Sequence, residues 1–332
     1  LTNTLFAIFT IFGISRISSE LFNKKVGRLV FLFCFFNPIF FGHMAINQKD
    51  MIIAFSNIWA TYFILKYIKY QDVDEKRNRY AFLTGLIVGL GMGVRIVFLS
   101  TIIPIIFFSI LDILFLKKVA SNKFSNKKMI FDFFKIFIIA YTIMISCWPD
   151  THKNIFVLPF SLFIESFTEI IGIPWSLMNG DFYNTSETPK TYLLINLFYK
   201  LPEFILLCYF FFIFLIFKNK IFFNNEFKFF YTKILLIFFI IVFPNVLLFV
   251  SPYKIYDGLR LFIYLIPYIC IVPALAIYCL INNYKIFSYK VLSSIILSFF
   301  IYYLFIFFSL TPYQYTYLNI LNGNFSETHK KF

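Results

Sequence analysis

Apolar runs separated by short charged stretches repeat from one end of this chain to the other. They fall at about residues 1–17, 27–41, 51–70, 80–94, 96–116, 129–147, 191–217, 234–250, 259–281 and 288–309. Each reads as a hydrophobic helix, which predicts an all-α, polytopic transmembrane bundle of about ten spans. Several runs are shorter than the roughly 20 residues that a perpendicular crossing needs, so tilted or cavity-lining helices are expected. Gly85, Gly89, Gly91 and Gly93 in the fourth run predict close helix contact, as small residues do in membranes. Gly93-Val94-Arg95 then marks a sharp reversal into the fifth run.

The cations between runs alternate in density. Lys24, Lys25 and Arg28, then Lys76, Arg77 and Arg79, then Lys117, Lys118, Lys123, Lys127 and Lys128, then Lys218, Lys220, Lys228 and Lys233 form a dense set. The alternate stretches carry few: Lys49, Arg95, Lys153, Lys190 and Lys254. The positive-inside rule makes the dense set cytoplasmic. Residues 42–50, 148–190, 251–258 and the tail after 310 then face outside and are expected to meet around a common cavity. In the long external stretch 148–190, Phe160, Phe163, Phe167 and Ile170-Ile171 recur at helical spacing opposite Glu165 and Glu169. That is the pattern of a helix lying in the membrane interface, as a loop anchor or as a cavity wall.

Composition narrows the class. The 332 residues are 60% hydrophobic with a mean hydropathy of +0.80, which excludes a soluble domain. The net charge of +14 is spread over inter-helix loops and argues for membrane topology, not for nucleic acid. The 52 Phe and only 11 Gly read as nucleotide bias of an AT-rich genome. Cys34, Cys147, Cys208, Cys270 and Cys279 lie in or beside apolar runs with no CxxC pair, so they read as small buried hydrophobes. Phosphate-loop, dinucleotide, zinc-protease and serine-hydrolase signatures are missing.

The densest polar cluster at a membrane boundary is Gly42-His43-Met44-Ala45-Ile46-Asn47-Gln48-Lys49-Asp50. A carboxylate, an ammonium, an imidazole and an amide are costly there without a use. A helix through 43–50 would put His43, Asn47 and Asp50 on one face. Asp50 also reads as an N-cap of the next span. Arg95 could snorkel to headgroups, and Asp257 with Arg260 could be a capping carboxylate paired to a cation at i and i+3. Tyr313, Tyr315 and Tyr317 read first as an interfacial aromatic belt.

Four segments in order resemble the GT-C class of integral-membrane glycosyltransferases, in the branch of protein O-mannosyltransferases and lipid A aminoarabinose transferases. They are Asn37-Pro38-Ile39-Phe40-Phe41-Gly42-His43 through Asp50, Gly89-Leu90-Gly91-Met92-Gly93-Val94-Arg95, Tyr256-Asp257-Gly258-Leu259-Arg260, and Pro312 through Asn319. The resemblance implies transfer of a sugar from a polyprenyl-phosphate donor to a lipid, glycan or protein acceptor. The reaction would take place at the outer, periplasmic face of a bacterial inner membrane. It implies Asp50 as the catalytic acidic residue or the partner of a divalent metal ion. His43, Asn47, Lys49, Arg95, Tyr256, Asp257 and Arg260 would contact substrate, the cations holding the carrier phosphate. A first acidic position, the base or metal partner in that class, would precede Leu1; Asp50 matches the second acidic position, and the family continues beyond the Tyr-rich segment. The resemblance therefore reads residues 1–332 as one transmembrane domain that is an interior piece of a longer protein. A transporter or flippase would instead show interrupted helices in inverted repeats, and a glycan polymerase would rely on external arginines.

Overall fold

The computed structural model describes residues 2–120, 125–168, 175–178, 180–250, 255, 257–284 and 290–322. The chain runs through α1 (Thr2–Leu21), α2 (Lys24–Phe35), α3 (Pro38–Ile46), α4 (Gln48–Lys69), α5 (Asp74–Val94) and α6 (Phe98–Leu111). Next come α7 (Asn126–Cys147), α8 (Leu158–Thr168), and the strands β1 (Trp175–Met178) and β2 (Asp181–Asn184). The remainder is α9 (Tyr192–Lys200), α10 (Glu203–Lys218), α11 (Lys220–Glu226), α12 (Phe230–Val250), α13 (Leu265–Ile269), α14 (Ile271–Asn283) and α15 (Lys290–Ser309). This is an all-α polytopic membrane protein. Its backbone polar groups are satisfied within helices, as hydrocarbon surroundings require.

Among the described residues, six of the ten apolar runs form helices long and apolar enough to cross a membrane, and two form bent pairs, giving up to eight spans. The other two differ from expectation. The run at 80–94 belongs to α5, whose first turns Asp74-Glu75-Lys76-Arg77 are charged, and the described apolar part of α15 is the short stretch Leu297–Ser309. The bent pairs have local causes. Pro38 cannot continue the ladder of α2; Asn37 instead caps α3, its side chain accepting from Phe40 N at 3.0 Å, and the axis turns by 62°. Pro202 ends α9 in the same way, with a 107° turn into α10.

The chain separates into two compact units. The first comprises Leu1–Gln48, Pro174–Phe230 and Ile255–Phe332. Within it α1 and α2 pack closely because Gly27 has no side chain; a Cβ there would meet Ser19 Oγ at 2.0 Å. The carbonyls freed at the α9–α10 turn are satisfied by Asn319, whose amide donates to Phe198 O at 2.6 Å and Leu201 O at 3.1 Å, and whose N–H donates to Tyr199 O at 3.0 Å. Tyr317 donates to Glu203 Oε2 at 2.7 Å. Burial first, and Glu203 second, hold this phenol above its ordinary pKa, so it stays a donor. The Tyr-rich segment is therefore not a uniform aromatic belt: Tyr313 is exposed, whereas Tyr317 is packed inside.

The second unit comprises Lys49–Ile173 and Tyr231–Lys254. Its organising contact is α5 on α7. A Cβ on Gly85 would lie 3.0 Å from Ile139 Cβ, on Gly89 2.8 Å from Ile143 Cβ, and on Gly93 2.9 Å from Cys147 Sγ. These three glycines, four residues apart, make the predicted close face, while Gly91 makes room for Phe98 of α6. At the far end of α5, Arg77 Nε meets Asp132 Oδ2 at 2.9 Å and Tyr67 donates to the same oxygen at 3.1 Å, tying α4, α5 and α7 together. Arg77 also pairs with Asp74, whose carboxyl is held below its usual range by Lys128 and then Arg77. Four of the five cysteines are buried as expected, and Cys147 is exposed.

The stretch 148–190 is divided between the units. Its first part contains α8, the helix expected there, with Phe160 and Ile164 exposed; Glu169, Ile170 and Ile171 lie outside the described residues. Its second part contains the antiparallel hairpin Trp175–Met178 and Asp181–Asn184, which the apolar pattern does not announce.

Candidate active site

The sequence cluster at 42–50 does not form one helix. Asn47 leaves the helical region with φ −106° and ψ 86°, closing α3, and α4 begins at Gln48. The expected single face is thus broken, and its members divide between the two units.

In the first unit, Gly42 brings α3 against the C-terminal segment: a Cβ there would sit 2.1 Å from Tyr315 N. One residue on, His43 is buried, and Asn47 Nδ2 lies 2.7 Å from its Nδ1. An amide NH2 donates, so Nδ1 accepts and the ring proton sits on Nε2. The charges of Lys200, Asp257 and Arg260 all bear on this ring.

The turn carrying Asp257 and Arg260 is fixed from α9. Asp257 and Gly258 are both left-handed, with φ of +65° and +64°. Gly258 N donates to Tyr192 Oη at 2.7 Å, and Ser176 Oγ bonds to the same hydroxyl at 3.1 Å. Arg260 Nη1 reaches Asp257 Oδ2 at 2.7 Å, as the i, i+3 spacing predicted. Tyr256 lies outside the described residues.

Asp50 stands in the second unit, in the first turn of α4 and not at its cap. It is 2% exposed, and its Oδ1 meets Arg95 Nη1 at 3.2 Å. Arg95 closes α5, its N–H donating to Gly91 O at 3.0 Å. Trp148 braces the same turn by donating from Nε1 to Gly93 O at 2.6 Å. Arg95 is therefore ion-paired within the protein and does more than snorkel to headgroups. Lys49, in contrast, is exposed. Among the described residues no three His, Cys, Asp or Glu side chains gather as metal ligands.

Sequence reasoning missed Lys200 and Asn196, both buried on α9, and the buried Asp132. The signal for each was available: an ionisable or amide side chain inside an otherwise apolar run.

Residues 1–146 match the family model described as dolichyl-phosphate-mannose-protein mannosyltransferase. The match supports a GT-C glycosyltransferase family. No curated protein and no solved structure matches the chain. The matched region contains the His43–Asn47 pair and the whole Asp50–Arg95 pair. A GT-C glycosyltransferase works in the membrane with a lipid-linked sugar donor, and a multi-pass apolar chain with buried ionisable residues on its helices suits that environment.

Proposed function

We propose that this chain transfers a sugar from a polyprenyl-phosphate-linked donor to a lipid, glycan or protein acceptor at the outer face of a bacterial inner membrane. The observation that carries the reading is the ion pair between the buried Asp50 and the half-buried Arg95. In the reaction, an acceptor hydroxyl forms a bond to the anomeric carbon while the bond from that carbon to the phosphate oxygen breaks. Polyprenyl phosphate departs with the electron pair. The Asp50 carboxylate takes the acceptor's proton, and Arg95 fixes the orientation of that carboxylate and attracts the phosphate.

The second unit also has a partly open apolar cavity of ≈ 210 Å³ whose lining includes Val88, Met92, Leu99, Ile102, Phe137 and Ala140. Met92 and Leu99 bracket Arg95 in sequence. A cavity this size takes a few isoprene units of a carrier, with the remainder in lipid. The alternation of cation-rich and cation-poor loops supports the outer-face assignment.

The two bent helix pairs are what a transporter would use, yet the family match favours transfer chemistry. The test is purified protein in nanodiscs with a radiolabelled polyprenyl-phosphate sugar and a mixture of lipid, glycan and peptide acceptors. Label moving to an acceptor, with release of unlabelled polyprenyl phosphate, is expected. Movement of intact donor between leaflets of a liposome without chemical transfer would favour the transporter.

A further inference from the structure

At one end of the first unit, side-chain contacts gather cations from separate elements. Asn23, which caps α2, donates from Nδ2 to Glu226 Oε1 of α11 at 3.3 Å, and Tyr278 of α14 donates to the same oxygen. The Phe22 ring packs edge-on against Phe227 and Phe230, with centroids 5.3 Å and 6.0 Å away. These contacts seat the α1–α2 turn on α11. Lys24, Lys25 and Arg28 of α2 therefore share this end with Lys218, Lys220 and Lys228, and all of these cations are exposed. The carboxylates set against them are Glu20, at the end of α1, and Glu226.

An apolar stripe leads up to the cations. Phe210, Phe214 and Phe217, at i, i+4 and i+7 on one face of α10, are 71%, 55% and 81% exposed. The stripe ends at Lys218, whose Nζ lies 5.3 Å from the Phe214 ring centroid and 5.9 Å from that of Tyr284. An ammonium over a ring keeps N–H donors for a further partner. Asn219 ties this end of α10 to the end of α14, donating to Tyr284 Oη at 2.9 Å and accepting from Asn283 Nδ2 at 2.9 Å. The stripe and its ammonium are thus held in a fixed relation. The Asp257–Arg260 turn packs on α9, at the other end of the 16-residue α10, which is about 24 Å long.

We propose that this corner of the first unit binds an anionic phospholipid. Its phosphate sits among Lys218, Lys220 and the first turn of α2, and an acyl chain lies along Phe210, Phe214 and Phe217. The two parts of the ligand match the two parts of the surface: apolar rings for the chain, an excess of cations for the headgroup. The inference does not rest on the glycosyl-transfer reading.

The experiment titrates the full chain, in zwitterionic detergent micelles, with fluorescent dioleoyl phosphatidylglycerol and with phosphatidylcholine of the same chains. Bound lipid is read by fluorescence anisotropy. Wild type should bind phosphatidylglycerol more tightly. Lys218→Gln with Lys220→Gln should weaken it about tenfold or more, at roughly fivefold per cation, and leave phosphatidylcholine unchanged. Phe214→Ser with Phe217→Ser should weaken both lipids. Lys76→Gln with Lys127→Gln takes the same charge from the second unit and should leave phosphatidylglycerol binding as it is. Raised salt, which screens the cations without any substitution, should weaken phosphatidylglycerol alone and covers the case in which a variant does not fold.

Equal wild-type affinity for the two lipids, or equal losses from the first-unit and second-unit charge variants, would overturn the inference. Tighter lysine-dependent binding of a polyglutamate peptide or of polyprenyl phosphate would also overturn it, by assigning these cations to another partner.

Discussion

Replacing Arg77 by Met tests whether the buried charge network of the second unit holds α4, α5 and α7 together. The Arg77 and Asp132 side chains are 9% and 1% exposed, so both charges are out of solvent. Removing one partner of such a pair leaves the other buried, at a cost of about 3–5 kcal/mol. The structure predicts an asymmetry between the two halves. After Arg77→Met, Asp132 keeps the Tyr67 hydroxyl among its described contacts; after Asp132→Asn, Arg77 still has the carboxylate of Asp74. Arg77→Met should therefore cost the full amount, and Asp132→Asn less, about 1–3 kcal/mol. The double variant, with no buried charge left, should recover at least about 2 kcal/mol relative to the sum of the singles. The assay is reversible unfolding in mixed micelles, followed by far-ultraviolet circular dichroism, over the complete cycle. Additive singles, or an Arg77→Met cost below about 1 kcal/mol, would refute the argument that this pair is a buried linchpin.

The remaining expectations follow from contacts nearer the candidate site. Gly42→Ala should destabilise the protein by about 2–4 kcal/mol, because its Cβ meets backbone and not a side chain tip, and should release the C-terminal segment to proteolysis near Tyr315; unchanged melting and cleavage would contradict the close approach. Arg95→Lys should raise the KM for lipid-linked donor and Arg95→Ala should raise it further, since the planar fork and then the charge are lost; equal donor dependence in all three proteins would remove Arg95 from the phosphate. Tyr317→Phe leaves Glu203 Oε2 without its hydroxyl donor and should cost about 1–3 kcal/mol of stability, measured by thermal unfolding; no change would mean that Glu203 is satisfied without it.

The fold was legible in the sequence because hydrocarbon imposes one pattern. Among the described residues the ten apolar runs are mostly helical, and the Gly85, Gly89 and Gly93 face against α7 was readable from spacing alone. What spacing did not reveal was where helices stop being straight. Pro38 and Pro202 stand inside or beside apolar runs, and hydropathy averages across them, so the 62° and 107° turns were invisible to it. A helix assumed to run through 43–50 joined His43, Asn47 and Asp50 into one face. Asn47 ends α3 instead, an outcome set by its backbone dihedrals and not by its polarity. The Asp257–Arg260 pair was foreseen because i, i+3 is a local relation. Lys200, Asn196 and Gly258 were missed as a group because 58 residues of sequence separate Lys200 from Gly258, and only tertiary packing brings them together. The Tyr-rich segment was misread for a similar reason: a buried Tyr with a carboxylate partner and an interfacial Tyr look alike in one dimension.

The central claim is that the buried Asp50 carboxylate takes part in glycosyl transfer from a lipid-linked donor. Its most direct test is the single-turnover rate of sugar transfer by Asp50→Asn, with donor saturating and folding checked by thermal unfolding. Asn keeps the shape of the side chain and can still bond to Arg95, but it cannot accept the acceptor's proton. The account predicts a fall in rate of about 10²–10⁴-fold at unchanged donor affinity. A variant that transfers sugar at the wild-type rate would show that Asp50 is only a first-turn helix residue paired to Arg95, and would contradict the account.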